Sequence, residues 1–221
     1  MLGRRARRRS ILAIPHVPIG ILRAHATLRD AARFMGATEW RPAPRSPVPN
    51  KVLGNGLREL DRFLSVLIDE VAATIDVDEE LLALLRTRRN TANKLRTLRA
   101  TLGYASPDHS RLRALGRSRD CLFHCGGLVR RADSRTGSSM TMGWPSRSTK
   151  TATLQTLQLG SRMSLDRGDI ADICRFYDRI ADELLAASYT RPDRTAASRK
   201  SVAFLHEYAH IGVAIVACDG L

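Results

Sequence analysis

The sequence predicts an all-α fold, an up-down bundle of four to five helices preceded by a basic, poorly packed N-terminal arm. Apolar residues recur at three- and four-residue spacing over most of the chain between residues 52 and 187, which is the pattern of amphipathic helices. The breaks between these stretches carry residues that begin or end helices, namely Asp78, Ser106 and the glycines at 103 and 126. Periodicity and capping residues therefore indicate the same fold class.

Composition sets the kind of core and the compartment. The chain has 221 residues, 43% of them hydrophobic and only 5% aromatic, so one mainly aliphatic core with appendages is expected. No apolar run approaches the roughly 18 residues of a membrane span. The four cysteines form no CxxC pair, which favours reduced thiols over a disulfide framework. We expect a cytoplasmic protein without membrane contact.

The chain divides into three parts. Residues 1–50 form a basic arm that begins with "MLGRRARRRS". A short helix is predicted around residues 24–36. The arm ends in the linker "RPAPRSPVPN", whose prolines favour an extended chain. A targeting peptide could also have this composition. Residues 51–187 form the helical domain. Residues 188–221 form a C-terminal extension, with a helix predicted over 201–216.

The first two helices of the domain follow from apolar stripes. Leu57, Leu60, Leu64 and Leu67 recur at helical spacing and predict a helix over about residues 57–71. A second helix is predicted from an Asp78 cap to Gly103. Two acidic residues follow the cap, where the helix dipole favours negative charge.

Two more helices are predicted further along the chain. The third begins at Ser106-Pro107, a cap followed by a proline at the first helical position, and runs to His124 before two glycines. Residues 132–162 are rich in Ser, Thr and Gly, and we predict a long loop with room for a short hairpin. The fourth helix is predicted over 164–187, where Ile170, Ile173, Tyr177 and similar residues form an apolar stripe.

Positive charge is concentrated in one part of the chain. The net charge is +14, and 32 of the 36 basic residues are arginine. The window from Arg86 to Arg131 holds twelve basic residues and only two acidic ones, a net +10. An arginine-rich proteome from a GC-rich genome would raise the total without concentrating it, whereas RNA phosphates would select such a window. The predicted RNA-binding residues are Arg88, Arg89, Arg96, Arg99, Arg117, Arg130 and Arg131.

The stretch "RDCLFH" lies within this window, near the end of the third predicted helix. At 100° per residue, Arg119 interrupts the apolar stripe, while Asp120 and His124 lie next to one another one turn apart. A carboxylate beside an imidazole would raise its basicity. These three residues are the candidate catalytic site. An ion-paired helix surface remains the alternative interpretation.

The order of helices around this motif resembles the HEPN superfamily of small all-α domains. Two helices precede a third that ends in Arg119-Asp120 and His124, and a polar loop and a helix with "DIADICRFYDRIADEL" follow. The resemblance covers residues 52 to 187. It implies a ribonuclease of toxin or phage-defence type that acts on RNA as a homodimer, with a neutralising antitoxin as a further partner.

The resemblance also implies a mechanism and roles for the three residues. It implies metal-independent RNA cleavage, in which a ribose 2′-hydroxyl attacks the neighbouring phosphate. His124 would be the general acid or base, Arg119 would stabilise the phosphorane, and Asp120 would orient His124. No cofactor is expected for this chemistry.

Two alternative functions remain open. The stretch "HEYAH" matches the H-E-x-x-H pattern of zinc metallopeptidases, with His206 and His210 as ligands and Glu207 as the base. The candidates for a third zinc ligand nearby are Cys218 and Asp219. The other alternative is a non-catalytic helical RNA-binding module, which would bind RNA in a salt-sensitive way without cleaving it.

Overall fold

The computed structural model describes residues 17–38, 48–75, 79–145 and 153–189. These residues form six helices and one antiparallel hairpin, which confirms the predicted helical class. None of these helices is both long and apolar enough to cross a bilayer. The elements are α1 (Ile19–Ala37), α2 (Val48–Ala72), α3 (Glu79–Thr87), α4 (Thr91–Thr101), α5 (His109–Cys125), β1 (Ser139–Pro145), β2 (Leu154–Gln158) and α6 (Arg167–Tyr189).

Helix α2 is the centre of the bundle, because it packs against α1, α4, α5 and α6. Its apolar stripe, with Leu57, Leu60, Leu64 and Leu67, is buried as the spacing predicts. Each buried leucine contributes about 1.5–3 kcal/mol relative to an exposed one. The buried stripe of α6 faces this core with Ile173, Tyr177 and neighbouring residues.

Helix α1 is part of the core, so the prediction of a poorly packed N-terminal arm is wrong for residues 19–37. Ile21, Leu28 and Met35 are buried against α2 and α6. The His25 Nε2 lies 2.8 Å from Asp182 Oδ1 of α6. The basic residues 1–16 and most of the proline-rich linker lie outside the described residues, as does the extension after residue 189.

The predicted second helix is two helices, α3 and α4. The chain leaves the helical conformation at Arg88, and Asn90 begins the next helix as its N-cap, with Oδ1 accepting from the Asn93 backbone N–H at 3.1 Å. Asparagine is favoured at the N-cap because its side-chain oxygen accepts from a backbone N–H that the helix itself leaves unpaired. Arg88 and Arg89 therefore lie in a connection beside α4 rather than within a helix.

Helix α5 ends as its glycines predict, and it is covered by the hairpin. Gly126 and Gly127 adopt positive φ values of 59° and 84°, and the N–H groups of both bond to Cys121 O. The predicted loop contains β1 and β2, and β1 lies directly on α5. A Cβ at Gly143 would stand 2.3 Å from Leu115 Cγ, so only glycine allows this approach.

Candidate active site

The end of α5 that carries the motif lies close against the start of α2. A Cβ added at Gly54 would stand 2.8 Å from Phe123 N and 3.1 Å from Arg119 O, so the absence of a side chain lets the two helices meet. The Asn50 Nδ2 donates to Gly126 O at 2.7 Å. Two contacts therefore hold the last turns of α5 against α2.

Arg119 is held between two carboxylates at this contact. Its Nη1 donates to Asp61 Oδ2 of α2 at 2.8 Å, and its Nε donates to Asp120 Oδ1 at 3.0 Å. Partial burial would lower the pKa of Arg119, but the carboxylates of Asp61 and Asp120 outweigh burial and raise it. The guanidinium is thus a permanent, oriented positive charge.

Asp61 is the site residue that the sequence analysis missed. It occupies a core-facing position between Leu57 and Leu64 on α2, and it also accepts from Thr91 Oγ1 of α4 at 3.0 Å. Burial raises its pKa, and Arg119 and Thr91 offset that rise only in part. A carboxylate in a leucine stripe could have indicated a buried partner, because an unpaired charge there is costly.

A buried tyrosine completes the polar cluster beneath Arg119. Tyr177 of α6 is fully buried, and burial together with the nearby Asp61 carboxylate raises the pKa of its hydroxyl well above the usual value. Asp61, Thr91, Arg119 and Tyr177 thus come from four different helices. The orientation of Arg119 therefore depends on the packing of the whole bundle.

His124 lies five residues beyond Arg119, about 7.5 Å further along the helix axis and about 140° round it. The side chain is exposed, and its ring meets Phe123 edge to face at 4.9 Å. No hydrogen bond to its ring is found among the described residues. The expected role of Asp120 in orienting His124 does not appear, because the Asp120 carboxylate pairs with Arg119 instead.

Helical phase places further basic residues on the same side of the contact between α2 and α5. The two helices run antiparallel, since Asn50 meets Gly126 while Asp61 meets Arg119. The exposed residues Lys51 and Arg58 of α2 therefore lie on the same outer side of the α2–α5 contact as His124. An anion on this side of the contact meets positive charge from both helices, from Lys51 and Arg58 of α2 and from Arg119 of α5.

The predicted phosphate-binding arginines are placed differently from one another. Arg89, Arg130 and Arg131 are exposed. Arg88 is half-buried beside α4, and Arg96 is half-buried on α4. Arg117 forms an ion pair with Asp133 at 2.7 Å.

The expectation for Arg99 needs correction, because this residue lies inside the bundle. It is only 6% exposed, and it donates to Asp108 at 2.7 Å and to Glu183 at 2.6 Å. Both ends of its guanidinium are therefore committed to carboxylates of the same chain, which leaves it unavailable to RNA.

The zinc alternative falls outside the described part of the chain. His206, Glu207, His210, Cys218 and Asp219 all lie beyond residue 189. Within residues 17–38, 48–75, 79–145 and 153–189, no group of three or more His, Cys, Asp and Glu side chains is arranged to hold a metal ion.

Comparisons of the chain with protein-family models, curated proteins and solved structures gave no match. The resemblance to the HEPN superfamily therefore depends on the motif and on the order of the helices.

Proposed function

We propose that the protein is a metal-independent endoribonuclease of toxin or phage-defence type, with Arg119 and His124 as its catalytic residues. The observation that carries the proposal is the placement of these two side chains. Asp61 orients a half-buried arginine, and an exposed histidine lies five residues further along the same helix, on the side of the α2–α5 contact that also carries Lys51 and Arg58. This arrangement offers a phosphate ligand and a proton-transfer group to one anionic substrate.

The proposed reaction is an internal transfer at phosphorus. The 2′-hydroxyl loses its proton to a base and its oxygen bonds to phosphorus, while the bond to the 5′-oxygen breaks and that oxygen takes a proton from an acid. The products are a 2′,3′-cyclic phosphate and a 5′-hydroxyl. An imidazole suits either proton transfer near neutral pH, which is worth roughly 10²–10⁴ in rate.

Arg119 supplies charge stabilisation in this proposal. Negative charge grows on the non-bridging oxygens as the phosphorane forms, and a guanidinium with a fixed orientation stabilises it without reorganising. The groups around Arg119 supply that fixed orientation, since Asp61 is itself held by Thr91.

The proposal includes a homodimer because the reaction needs both an acid and a base. The described part of each chain contributes one histidine, His124, to this site, and a second copy would supply the other. A ribonuclease that acts in the cytoplasm would also need restraint by a neutralising antitoxin, which is the further partner we propose.

Incubation of the purified full-length chain with RNA in EDTA is the first test. We expect cleavage that persists in the chelator and leaves cyclic phosphate ends. Activity that EDTA removes and zinc restores would favour the H-E-x-x-H alternative. Salt-sensitive binding without any cleavage would make the protein an RNA-binding module.

The exposed arginines of the basic window should determine the salt dependence of binding. Replacement of Arg89, Arg130 and Arg131 with glutamine should lower the slope of log affinity against log salt by about two, since each phosphate contact on single-stranded RNA contributes about 0.7. Arg33→Gln, an exposed change on α1, is the matched control and should leave the slope unchanged. An unaltered slope in the triple variant would place the RNA on another surface.

A further inference from the structure

Among the residues that the structure describes, the acceptors found for Arg119 are Asp61 and Asp120, and they occupy only part of its guanidinium. A guanidinium has five N–H donors, one on Nε and two on each terminal nitrogen. Asp61 takes a donor of Nη1, and Asp120 takes the single donor of Nε. Nε and Nη2 together form the edge that matches two oxygens of a phosphate. Asp120 therefore stands where a phosphate would bind.

The two carboxylates hold Arg119 with different strength. The Asp61 side chain is 20% exposed and has Thr91 as a second partner, whereas the Asp120 side chain is 59% exposed. An exposed ion pair changes an equilibrium constant by a factor of only about one to five. An incoming anion would thus displace Asp120 far more easily than Asp61.

We propose that the Nε–Nη2 edge of Arg119 is a phosphodiester subsite, which Asp120 closes in the free protein. The substrate phosphate displaces the Asp120 carboxylate, and Asp61 keeps its bond to Nη1 so that the guanidinium does not turn away. Asp61 is a positioning residue in this scheme, and Asp120 is a built-in competitor for the phosphate. The inference rests on the proposed function, because it takes RNA as the ligand.

This scheme reverses the effect expected from the sequence. If Asp120 oriented His124, its removal would weaken the site. If it competes with phosphate, its removal strengthens binding, because the RNA no longer has to displace a carboxylate from Arg119. The two roles therefore predict opposite signs for one substitution.

The test measures binding of a fully 2′-O-methylated oligoribonucleotide by fluorescence anisotropy at one ionic strength. This probe cannot be cleaved, because no 2′-hydroxyl remains to attack the phosphate. Asp120→Asn should bind it roughly two- to fivefold more tightly than the unaltered protein. Glu59→Gln, which removes one negative charge from the nearby Arg62 pair on α2, corrects for the general change in charge.

A second background shows whether the gain acts through Arg119. In Arg119→Gln protein, the added Asp120→Asn change should give no gain beyond that of Glu59→Gln, because the competing ion pair is already absent. An equal gain in both backgrounds, or none in the unaltered background, overturns the subsite.

Failure of the subsite and failure of the proposed function give different results. Cleavage of unmodified RNA without an Asp120→Asn gain leaves the ribonuclease and removes the subsite. Tight binding with the gain but without cleavage keeps the subsite and overturns the ribonuclease. The absence of any binding by the unaltered protein overturns both.

Discussion

Replacement of His124 with alanine is expected to lower RNA cleavage by about 10²–10⁴ and to leave the melting temperature unchanged. The loss is the rate contribution of a positioned acid or base. The stability should hold because the side chain is exposed at the end of α5 and its only described ring contact is the edge of Phe123. Initial rates on a labelled oligoribonucleotide and a thermal melt by circular dichroism measure the two quantities.

His206→Ala is the control for this experiment, because it removes the same side chain from the competing motif. We expect it to cleave RNA at the rate of the unaltered protein. If His124→Ala stays active while His206→Ala is inactive, the catalytic site lies in the C-terminal extension and "RDCLFH" is a charged helix surface. Parallel assays of both variants in EDTA remove any doubt about a contaminating metal-dependent nuclease.

The sequence predicts a helix end well when the residues that determine it lie at that end of the helix. The C-terminal end of α5 follows from its own residues, because Gly126 and Gly127 close the helix, whereas the helix begins at His109 with Asp108 as N-cap rather than at the predicted Ser106-Pro107. The break before α4 also has a local signal, the N-cap Asn90. The leucines on either side of Asn90 continue at helical spacing, however, and therefore predict one uninterrupted helix. Here apolar periodicity, taken alone, outweighed a capping signal that was present.

The docking of α1 could not be predicted in the same way. Its helix is visible in the spacing of Ile21, Leu28 and Met35, but the surface that covers these residues belongs to α2 and α6. The contact of His25 with Asp182 spans 157 positions. A proline-rich linker after α1 suggested separation, whereas burial of an apolar stripe decides packing.

The candidate site shows the same division between local and distant information. Arg119 and His124 lie five residues apart on one helix, so the sequence itself shows their spacing. Asp61 meets Arg119 from 58 positions away, and no spacing rule connects them. The prediction that Arg99 binds RNA is wrong for the converse reason, because the net charge of a sequence window does not include the distant Glu183 that pairs with it.

Asp108→Ala is expected to lower the free energy of unfolding by about 3–5 kcal/mol, because it removes one partner from a buried ion cluster. Asp108 accepts from Arg99 at 2.7 Å and from Arg179 at 2.5 Å. Without it, Arg99 would keep only Glu183 as an acceptor in a nearly closed site. Urea unfolding followed by circular dichroism measures the loss, and Asp30→Ala, at a side chain that is 73% exposed, should cost under about 0.5 kcal/mol.

The pH dependence of the free energy of unfolding, measured for the unaltered protein and for Asp108→Ala, gives an independent check on this ion cluster. Burial alone would raise the pKa of Asp108, but hydrogen bonds from Arg179 and Arg99 lower it below its usual value of 3.8. A folded-state pKa below the unfolded one stabilises the protein above pH 3.8, and this stability is lost as pH falls through the folded value. The stability difference between the unaltered protein and Asp108→Ala should therefore shrink below pH 3.8.

A loss of stability under 1 kcal/mol in Asp108→Ala at neutral pH would mean that Arg99 finds solvent or another acceptor, and Arg99 would again be a candidate for binding RNA.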